Sequence, residues 1–289
     1  MKHTTLFALT LVTMIAFAAN SVIGRMGLID TATGPGAFAL IRMISGAAIL
    51  ALLMYLRARP AGPAPRMGGS WAGAAILTLY MVAFAYAYLT LPAGTGALIL
   101  FGVVQILMIG AGWITGERFT AIQIGGAGLA ALALVWLVSP GIGAPPLLGA
   151  AIMALSGIGW GVYSLMGRGS KDAGAETAGN FVRGVPLCAL SVALIWLVRP
   201  EAMPDAQGVA LAILSGAVTS GLGYILWYKA LKGLRASQAG LAQLTVPAIA
   251  AIGGTLLLAE PLTARLVLAS AAILGGVALA TLTPSRSAK

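Results

Sequence analysis

Charged residues are scarce in this sequence. Only 8% of its 289 residues are Asp, Glu, Lys or Arg, and 60% are hydrophobic. An ordinary soluble domain carries charge on roughly a quarter of its residues, so this composition excludes such a domain. It indicates an integral membrane protein whose main partner is the lipid bilayer.

Residues that carry enzyme chemistry are equally rare. The sequence has one cysteine, Cys188, and one histidine, His3, which excludes an internal disulfide and a zinc site built from such ligands. No paired acids, serine with a base, or phosphate-binding glycine loop lies within the hydrophobic segments. We therefore predict no enzyme activity, no cofactor, no metal ion, and an energy source other than ATP.

Acidic residues are also few, and none is expected at the middle of the membrane. All seven lie at or outside the predicted helix ends: Asp30, Glu117, Asp172, Glu176, Glu201, Asp205 and Glu260. A transporter that couples to protons through a buried carboxylate needs an acid within a span. The sequence therefore offers no such acid for coupling to protons.

Long hydrophobic segments, in contrast, are numerous. They run as blocks rich in Ala, Leu and Gly, without the alternation of a membrane β-barrel strand. Ten of them approach the roughly 20 residues that cross a bilayer as a helix, at about 4–24, 35–56, 71–89, 96–115, 120–138, 146–166, 181–198, 207–227, 238–258 and 262–282. The predicted fold is all-α, with ten transmembrane helices.

The two halves of the chain share a pattern. Residues 21–25 read SVIGR, and residues 164–168 read SLMGR, 143 positions later. At the same offset Glu117 corresponds to Glu260, and Arg42 has a counterpart in Arg183 at nearly that spacing. These matches predict an internal duplication.

The duplication divides the chain into a first five-helix repeat, 1–143, and a second, 144–289, within one fused transmembrane domain. Five is an odd number, so the second half enters the membrane from the opposite side and the repeats are inverted. Inverted repeats allow a site between them to open alternately to each side. The arrangement therefore predicts a transporter.

Positive charge predicts the orientation. With the N-terminus in the cytoplasm, thirteen Lys and Arg fall on the cytoplasmic side, and four fall outside, namely Arg25, Arg42, Arg199 and Arg265. This is the positive-inside pattern, and it predicts that both termini are cytoplasmic in a bacterial inner membrane. It also accounts for the net charge of +10, which is no reason to expect a nucleic-acid partner.

Polar and aromatic residues in mid-span are candidates for a substrate cavity, because lipid cannot satisfy polar groups there. The alternative is ordinary packing, since an aromatic stripe often fills a core, and Gln243 also suits an interhelical hydrogen bond. The candidates are Asn20, Tyr80, Phe84, Phe101, Gln105, Trp160, Tyr163, Tyr224, Trp227 and Gln243.

Two arginines and a proline are candidates for moving parts. Arg25 and Arg168 are repeat-equivalent helix ends, and each either anchors its helix at the headgroups or closes a gate by pairing in one of two states. Glu117 and Glu260 are available as acidic partners. Pro247 deletes a backbone hydrogen bond in mid-helix, which provides either a hinge or a shape for packing.

Two glycine-rich stretches predict a close-packed face. Gly125-Gly126 with Gly128, and Gly275-Gly276, have almost no polar side chains nearby. Small residues let membrane helices approach closely. The face joins either the two halves or two protomers, so the protein is predicted to be a monomer or a homodimer.

The sequence resembles the EamA branch of the drug/metabolite transporter superfamily. The resemblance rests on Gly24-Arg25, on Tyr228-x-x-Leu231, and most specifically on Pro247 leading to Leu258-Ala259-Glu260-Pro261. In detail the chain is similar to the YddG-type exporters of aromatic and other neutral amino acids. The first repeat departs from the pattern, with Val104-Gln105 in place of Pro247-Ala248.

This resemblance implies an inner-membrane exporter with a central cavity between the halves. The expected substrate is an amino acid or a similar small amphiphilic metabolite, stacked on aromatic rings in an uncharged cavity, with Asn20 and Gln105 bonding its polar end. A cationic aromatic drug is a further candidate through cation–π contact. The alternatives are import, transport of sugar-like or nucleotide-like metabolites, and a non-transporting membrane scaffold.

Overall fold

The computed structural model describes residues 3–57, 67–114, 116, 119–167, 170, 172–234 and 236–282, and these residues form helices without strands. Ten helices follow one another: α1 His3–Ile29, α2 Pro35–Arg57, α3 Trp71–Tyr88, α4 Ala93–Ile114, α5 Ala121–Val138, α6 Leu147–Gly167, α7 Ala173–Val198, α8 Ala206–Leu231, α9 Ala236–Leu258 and α10 Ala264–Leu282.

The predicted all-helical membrane fold is confirmed. Within the described residues, nine helices are long and apolar enough to cross a membrane, and Ala242–Leu258 of α9 adds a shorter apolar stretch. Helix α1 runs to Ile29, beyond the predicted end at 24, so Arg25 lies inside the helix. Helix α7 begins at Ala173, before the predicted 181, because the Asp172 carboxylate caps it by accepting from the Ala175 N–H at 3.1 Å.

The helices of the first half pack mainly against those of the second. Helix α1 lies against α8 and α9, α2 against α7 and α8, α3 against α6 and α7, and α4 against α6 and α9. Helices α5 and α10 pair beside this bundle. The core therefore lies between the two halves of the chain, where side chains of both halves meet.

The glycine face joins α5 to α10. A Cβ added to Gly126 would lie 2.5 Å from the Gly276 carbonyl oxygen, and one added to Gly276 would lie as close to the Gly126 oxygen. Gly125, Gly128 and Gly275 have open space beside them. One glycine from each helix thus brings the two halves together, as the first of the two sequence interpretations expected.

Helix α8 changes its winding at the centre. Residues Leu214–Leu222 form a π-helical stretch, a feature that is rare and occurs frequently at functional sites. The stretch places Ser215, Thr219 and Ser220 in the protein interior, where all are buried. At Gly216 a side chain would collide with Ser45 and the Arg42 backbone, so this glycine lets α8 lie directly against α2.

Candidate functional site

Aromatic rings from both halves meet at the centre of the bundle. The Trp160 ring centroid on α6 lies 5.1 Å from Tyr80, 4.8 Å from Tyr224 and 6.0 Å from Tyr163. Phe17 completes the contacts of Trp160 at 6.1 Å, and all of these rings are at most 6% exposed. We call these five residues the central aromatic cluster.

Two further candidates adjoin this cluster. Phe84 lies 5.8 Å from Tyr80, and Trp227 lies 5.9 Å from Phe17, between ring centroids. The structure thus brings six of the predicted aromatic residues together, and their role as the walls of a substrate cavity stays a prediction. Phe17 was missed, although it precedes Asn20 by one helical turn.

A charged side chain lies against the central aromatic cluster. Arg42 on α2 is 0% exposed. Its Nε donates to Ser220 Oγ at 3.1 Å, and its Nη2 donates to the Tyr80 hydroxyl at 3.0 Å. The guanidinium carbon lies 5.3 Å and 4.5 Å from the ring centroids of Tyr80 and Phe84. The Nη1 atom has no hydrogen-bond partner among the described residues.

The burial of Arg42 corrects two sequence predictions. Arg42 was placed at the outer surface, but it lies about two turns inside α2, and its side chain reaches α3 and α8. The centre of the bundle is therefore not uncharged. The signal was present in the sequence, because Arg42 interrupts the predicted span 35–56 well after its start.

Asn20 links α1 to the π-helical stretch of α8. Its Oδ1 accepts a hydrogen bond from Ser215 Oγ at 2.6 Å and another from Thr219 Oγ1 at 3.0 Å. The carbonyl oxygen of Asn20 thus has two donors, and the role of Asn20 as a partner of the substrate stays a prediction. Sequence reasoning missed Ser215 and Thr219, because small hydroxyls are common in membrane helices.

The remaining candidates lie apart from the cluster. Phe101 and Gln105 on α4 are buried, and Gln243 on α9 is partly buried. Within the described residues, no hydrogen bond or ring contact joins these three to Arg42 or Trp160. Pro247 lies inside α9, and its role as a hinge stays a prediction.

Arg25 closes one end of the bundle, which we call the Arg25 end. Its Nε lies 3.2 Å from Glu260 Oε1 in an ion pair, and its Nη1 donates to the carbonyls of Tyr88 and Leu89 at 2.7 and 3.0 Å. Glu260 Oε2 accepts from the Ala93 N–H at 2.7 Å. These bonds join α1, α3 and α4 to the segment that follows α9.

The guanidinium of Arg25 is bound by protein groups, and its role as a gate stays a prediction. The side chains of Arg25 and Glu260 are only 16% and 11% exposed. Arg168 and Glu117, the predicted counterparts of Arg25 and Glu260 in the other repeat, lie outside the described residues.

A cavity of about 230 Å³ lies at the opposite end, between α6, α7 and the end of α8. Asn180 Nδ2 donates to the Tyr163 hydroxyl at 3.3 Å in its wall. Tyr163 also stacks on Trp160 with an interplanar angle of 29°, so the cavity reaches the central aromatic cluster. Sequence reasoning missed Asn180 and placed α7 too late to include it.

Comparisons with known proteins agree with this architecture. Residues 147–282, which form α6 to α10, match the model of the EamA-like transporter family. A relative from Pseudomonas aeruginosa, described as uncharacterized protein PA1977, is 49% identical over 271 residues, covering 94% of this chain and 92% of that protein. The second half of the chain therefore carries an EamA-like transporter domain.

A solved crystal structure of a protein shares the fold of this chain. It is 19% identical, covers 97% of this chain and 98% of its own, and gives a TM-score of 0.66, which is evidence for the fold alone. The EamA-like domain supports a multi-pass membrane protein with a transporter role rather than an enzyme. The YddG-type subgroup stays a prediction, because the relative in Pseudomonas is itself uncharacterized.

Proposed function

We propose that this EamA-family protein is a secondary transporter that exports aromatic or neutral amino acids, or similar small amphiphilic metabolites, across the inner membrane. The observation that supports this proposal best is the buried group of Asn20, Arg42, Tyr80, Trp160 and Tyr224 between the two halves. Buried polar and charged groups in a membrane mark substrate paths, and a scaffold without a ligand does not need them.

Alternating access is supported by the pattern of helix contacts. The main contacts between the halves have counterparts when every helix is exchanged for the one five places away. The contact of α1 with α9 becomes that of α6 with α4, and that of α2 with α8 becomes that of α7 with α3. Such exchange symmetry is what inverted repeats 1–143 and 144–289 produce.

The two ends of the bundle fit an exporter that is ready to take up its substrate. With the predicted cytoplasmic termini, the Arg25 end faces the periplasm and is closed, while the cavity at Tyr163 and Asn180 faces the cytoplasm. A substrate enters at the cavity and leaves when the Arg25–Glu260 pair opens.

Transport of labelled phenylalanine and leucine by the purified protein in liposomes tests this function. Trp160→Ala should lower the flux, because it removes a ring that contacts four others. Trp113→Ala is the matched control, since that side chain is 75% exposed, and it should transport normally. The absence of flux for every labelled neutral amino acid would contradict the proposal.

A further inference from the structure

We propose that Arg42 binds the carboxylate of the transported substrate, and that the site recognises this carboxylate without providing an acidic partner for an amine. The inference rests on the proposed transport function and narrows its substrate class. The predicted ligands are monocarboxylates with an apolar or aromatic side group, with or without an α-amino group.

The first argument is the missing counter-ion of Arg42. Arginine stays protonated in proteins, and an isolated charge is costly to bury in a membrane. The groups that contact the guanidinium are the hydroxyls of Ser220 and Tyr80 and the ring of Phe84, all neutral. A bound anion would supply the charge that these groups lack.

The described acids are engaged or placed elsewhere. Glu260 pairs with Arg25, and Glu201 accepts from the Tyr86 hydroxyl and from the Gly36 N–H. The others lie in loops, at caps or at the rim of the cavity: Asp30, Asp172, Glu176 and Asp205. Among the described residues, the guanidinium of Arg42 beside the central aromatic cluster thus has no carboxylate partner.

The second argument is the set of donors that remain free. Arg42 Nη1 and the Tyr224 hydroxyl are both buried without a hydrogen-bond partner in the described part of the chain. Tyr224 and Tyr80, which holds Arg42, both contact the Trp160 ring. A carboxylate accepts several hydrogen bonds and pairs well with a guanidinium, so these donors match its chemistry.

The third argument concerns the rest of the ligand. The aromatic cluster offers rings against which an apolar or aromatic side group packs. A cationic aromatic drug, which the sequence had suggested, is disfavoured, because the guanidinium of Arg42 already lies over Tyr80 and Phe84 and repels a second cation.

The route to Arg42 leads through the cluster. Arg42 is fully buried in this conformation. In the cavity wall the Tyr163 ring stacks on Trp160, and Trp160 in turn contacts Tyr80. A ligand from the cavity therefore reaches Arg42 only after the rings of Trp160 and Tyr80 move. This places Trp160 between the cavity and the proposed carboxylate site.

Calorimetric titration of the purified full-length protein in detergent tests the inference without requiring transport. The ligands are phenylalanine, 3-phenylpropanoate, which lacks the amine, and phenethylamine, which lacks the carboxylate. We expect the first two to bind and the third not to bind. Binding of phenethylamine as tight as that of phenylalanine, or no binding of either carboxylate, would overturn the proposal.

Variants assign the binding to Arg42. Arg42→Met should weaken both carboxylates about tenfold or more, the loss expected when a hydrogen-bonded charge is removed, and Arg42→Lys should restore part of it. Tyr224→Phe, which keeps the ring, should weaken them less. Arg183→Met is the matched control, because Arg183 donates to the carbonyls of Gly68 and Gly179, and it should bind normally. Unchanged binding in both Arg42→Met and Tyr224→Phe would contradict the assignment.

Two further outcomes separate this inference from the proposed function. Chloride that displaces 3-phenylpropanoate at equal concentration would show that Arg42 takes any small anion, which overturns carboxylate recognition. Carboxylate binding that depends on Arg42, without flux in liposomes, would support the site and contradict transport. Flux of amino acids that Arg42→Met leaves unchanged would support transport and contradict the site.

Discussion

Arg25 and Arg42 lie on consecutive helices of the same half, yet their bonding is opposite. Arg25 is satisfied by the Glu260 carboxylate and by the carbonyls of Tyr88 and Leu89. Arg42 is fully buried, donates to two hydroxyls, and keeps Nη1 without a partner among the described residues. A paired arginine at a bundle end holds helices together, whereas an unpaired one at the centre is suited to take up an anion.

The largest expected effect is the loss of transport in Arg42→Met. We expect flux of labelled phenylalanine to fall about tenfold or more, while the melting temperature stays equal or rises, because an unpaired buried charge is removed. Flux in liposomes and thermal unfolding in detergent measure the two. A parallel loss of flux and melting temperature would instead make Arg42 a structural residue like Arg25.

The next effect is destabilisation when the Arg25–Glu260 pair is broken. Arg25→Gln and Glu260→Gln each leave a partly buried charge without its partner, so both should lower the melting temperature. The double variant should be less destabilised than the sum of the single ones, with a coupling of about 0.5–3 kcal/mol. Additive effects in this double-mutant cycle would show that the ion pair does not hold the end closed.

A smaller effect is expected from the proton gradient. No described acid lies in the central cluster, so the usual buried carboxylate relay is missing there. Flux in liposomes should therefore follow the substrate gradient and change little when an ionophore collapses an imposed pH gradient. Accumulation against the substrate gradient, driven by pH and abolished by the ionophore, would redirect attention to Glu260 and to Glu117, which is outside the described residues.

The smallest effect concerns Asp205, which also ties the Arg25 end. Its carboxylate accepts from the N–H groups of Ala32 and Gly208, and these bonds lower its pKa. Because the pKa of Asp205 is lower in the folded protein than in the unfolded chain, its ionised carboxylate stabilises the fold at pH values above the unfolded pKa. This stabilisation is lost as the pH falls through the folded pKa.

Asp205→Asn tests this dependence. The variant should melt slightly below the wild type at neutral pH, and the difference should shrink once the pH falls below about 4, where aspartate begins to protonate. Melting curves measured across this range give the result. A difference that is constant with pH would show that the charge of Asp205 does not contribute.

Much of the fold was predictable, because long apolar blocks dictate membrane helices directly. The family resemblance followed from short motifs in the sequence. The repeat indicated Glu260 as an acidic partner available to Arg25. Four of the five members of the central aromatic cluster were predictable, since Tyr80, Trp160, Tyr163 and Tyr224 fall in mid-span, whereas Phe17 was missed. These features depend on where a residue falls along its helix, and this position can be read directly from the sequence.

The features that sequence reasoning missed depend on helix rotation and on long-range contacts. Whether Arg42 turns towards headgroups or into the bundle depends on which face of α2 meets α8, and Gly216 sets that approach. No hydrophobic periodicity predicts the π-helical stretch at Leu214–Leu222. Asn20 bonds to Ser215 and Thr219, which lie 195 and 199 positions further along the chain.

Competitive counterflow in liposomes tests most directly whether the centre of this protein recognises a carboxylate. Vesicles containing the wild-type protein are loaded with unlabelled phenylalanine, and uptake of labelled phenylalanine is measured with 3-phenylpropanoate or phenethylamine added. Inhibition by 3-phenylpropanoate comparable to that by phenylalanine, with no inhibition by phenethylamine, is the expected result. Inhibition by phenethylamine alone would contradict the role of Arg42 and indicate that the amine is recognised.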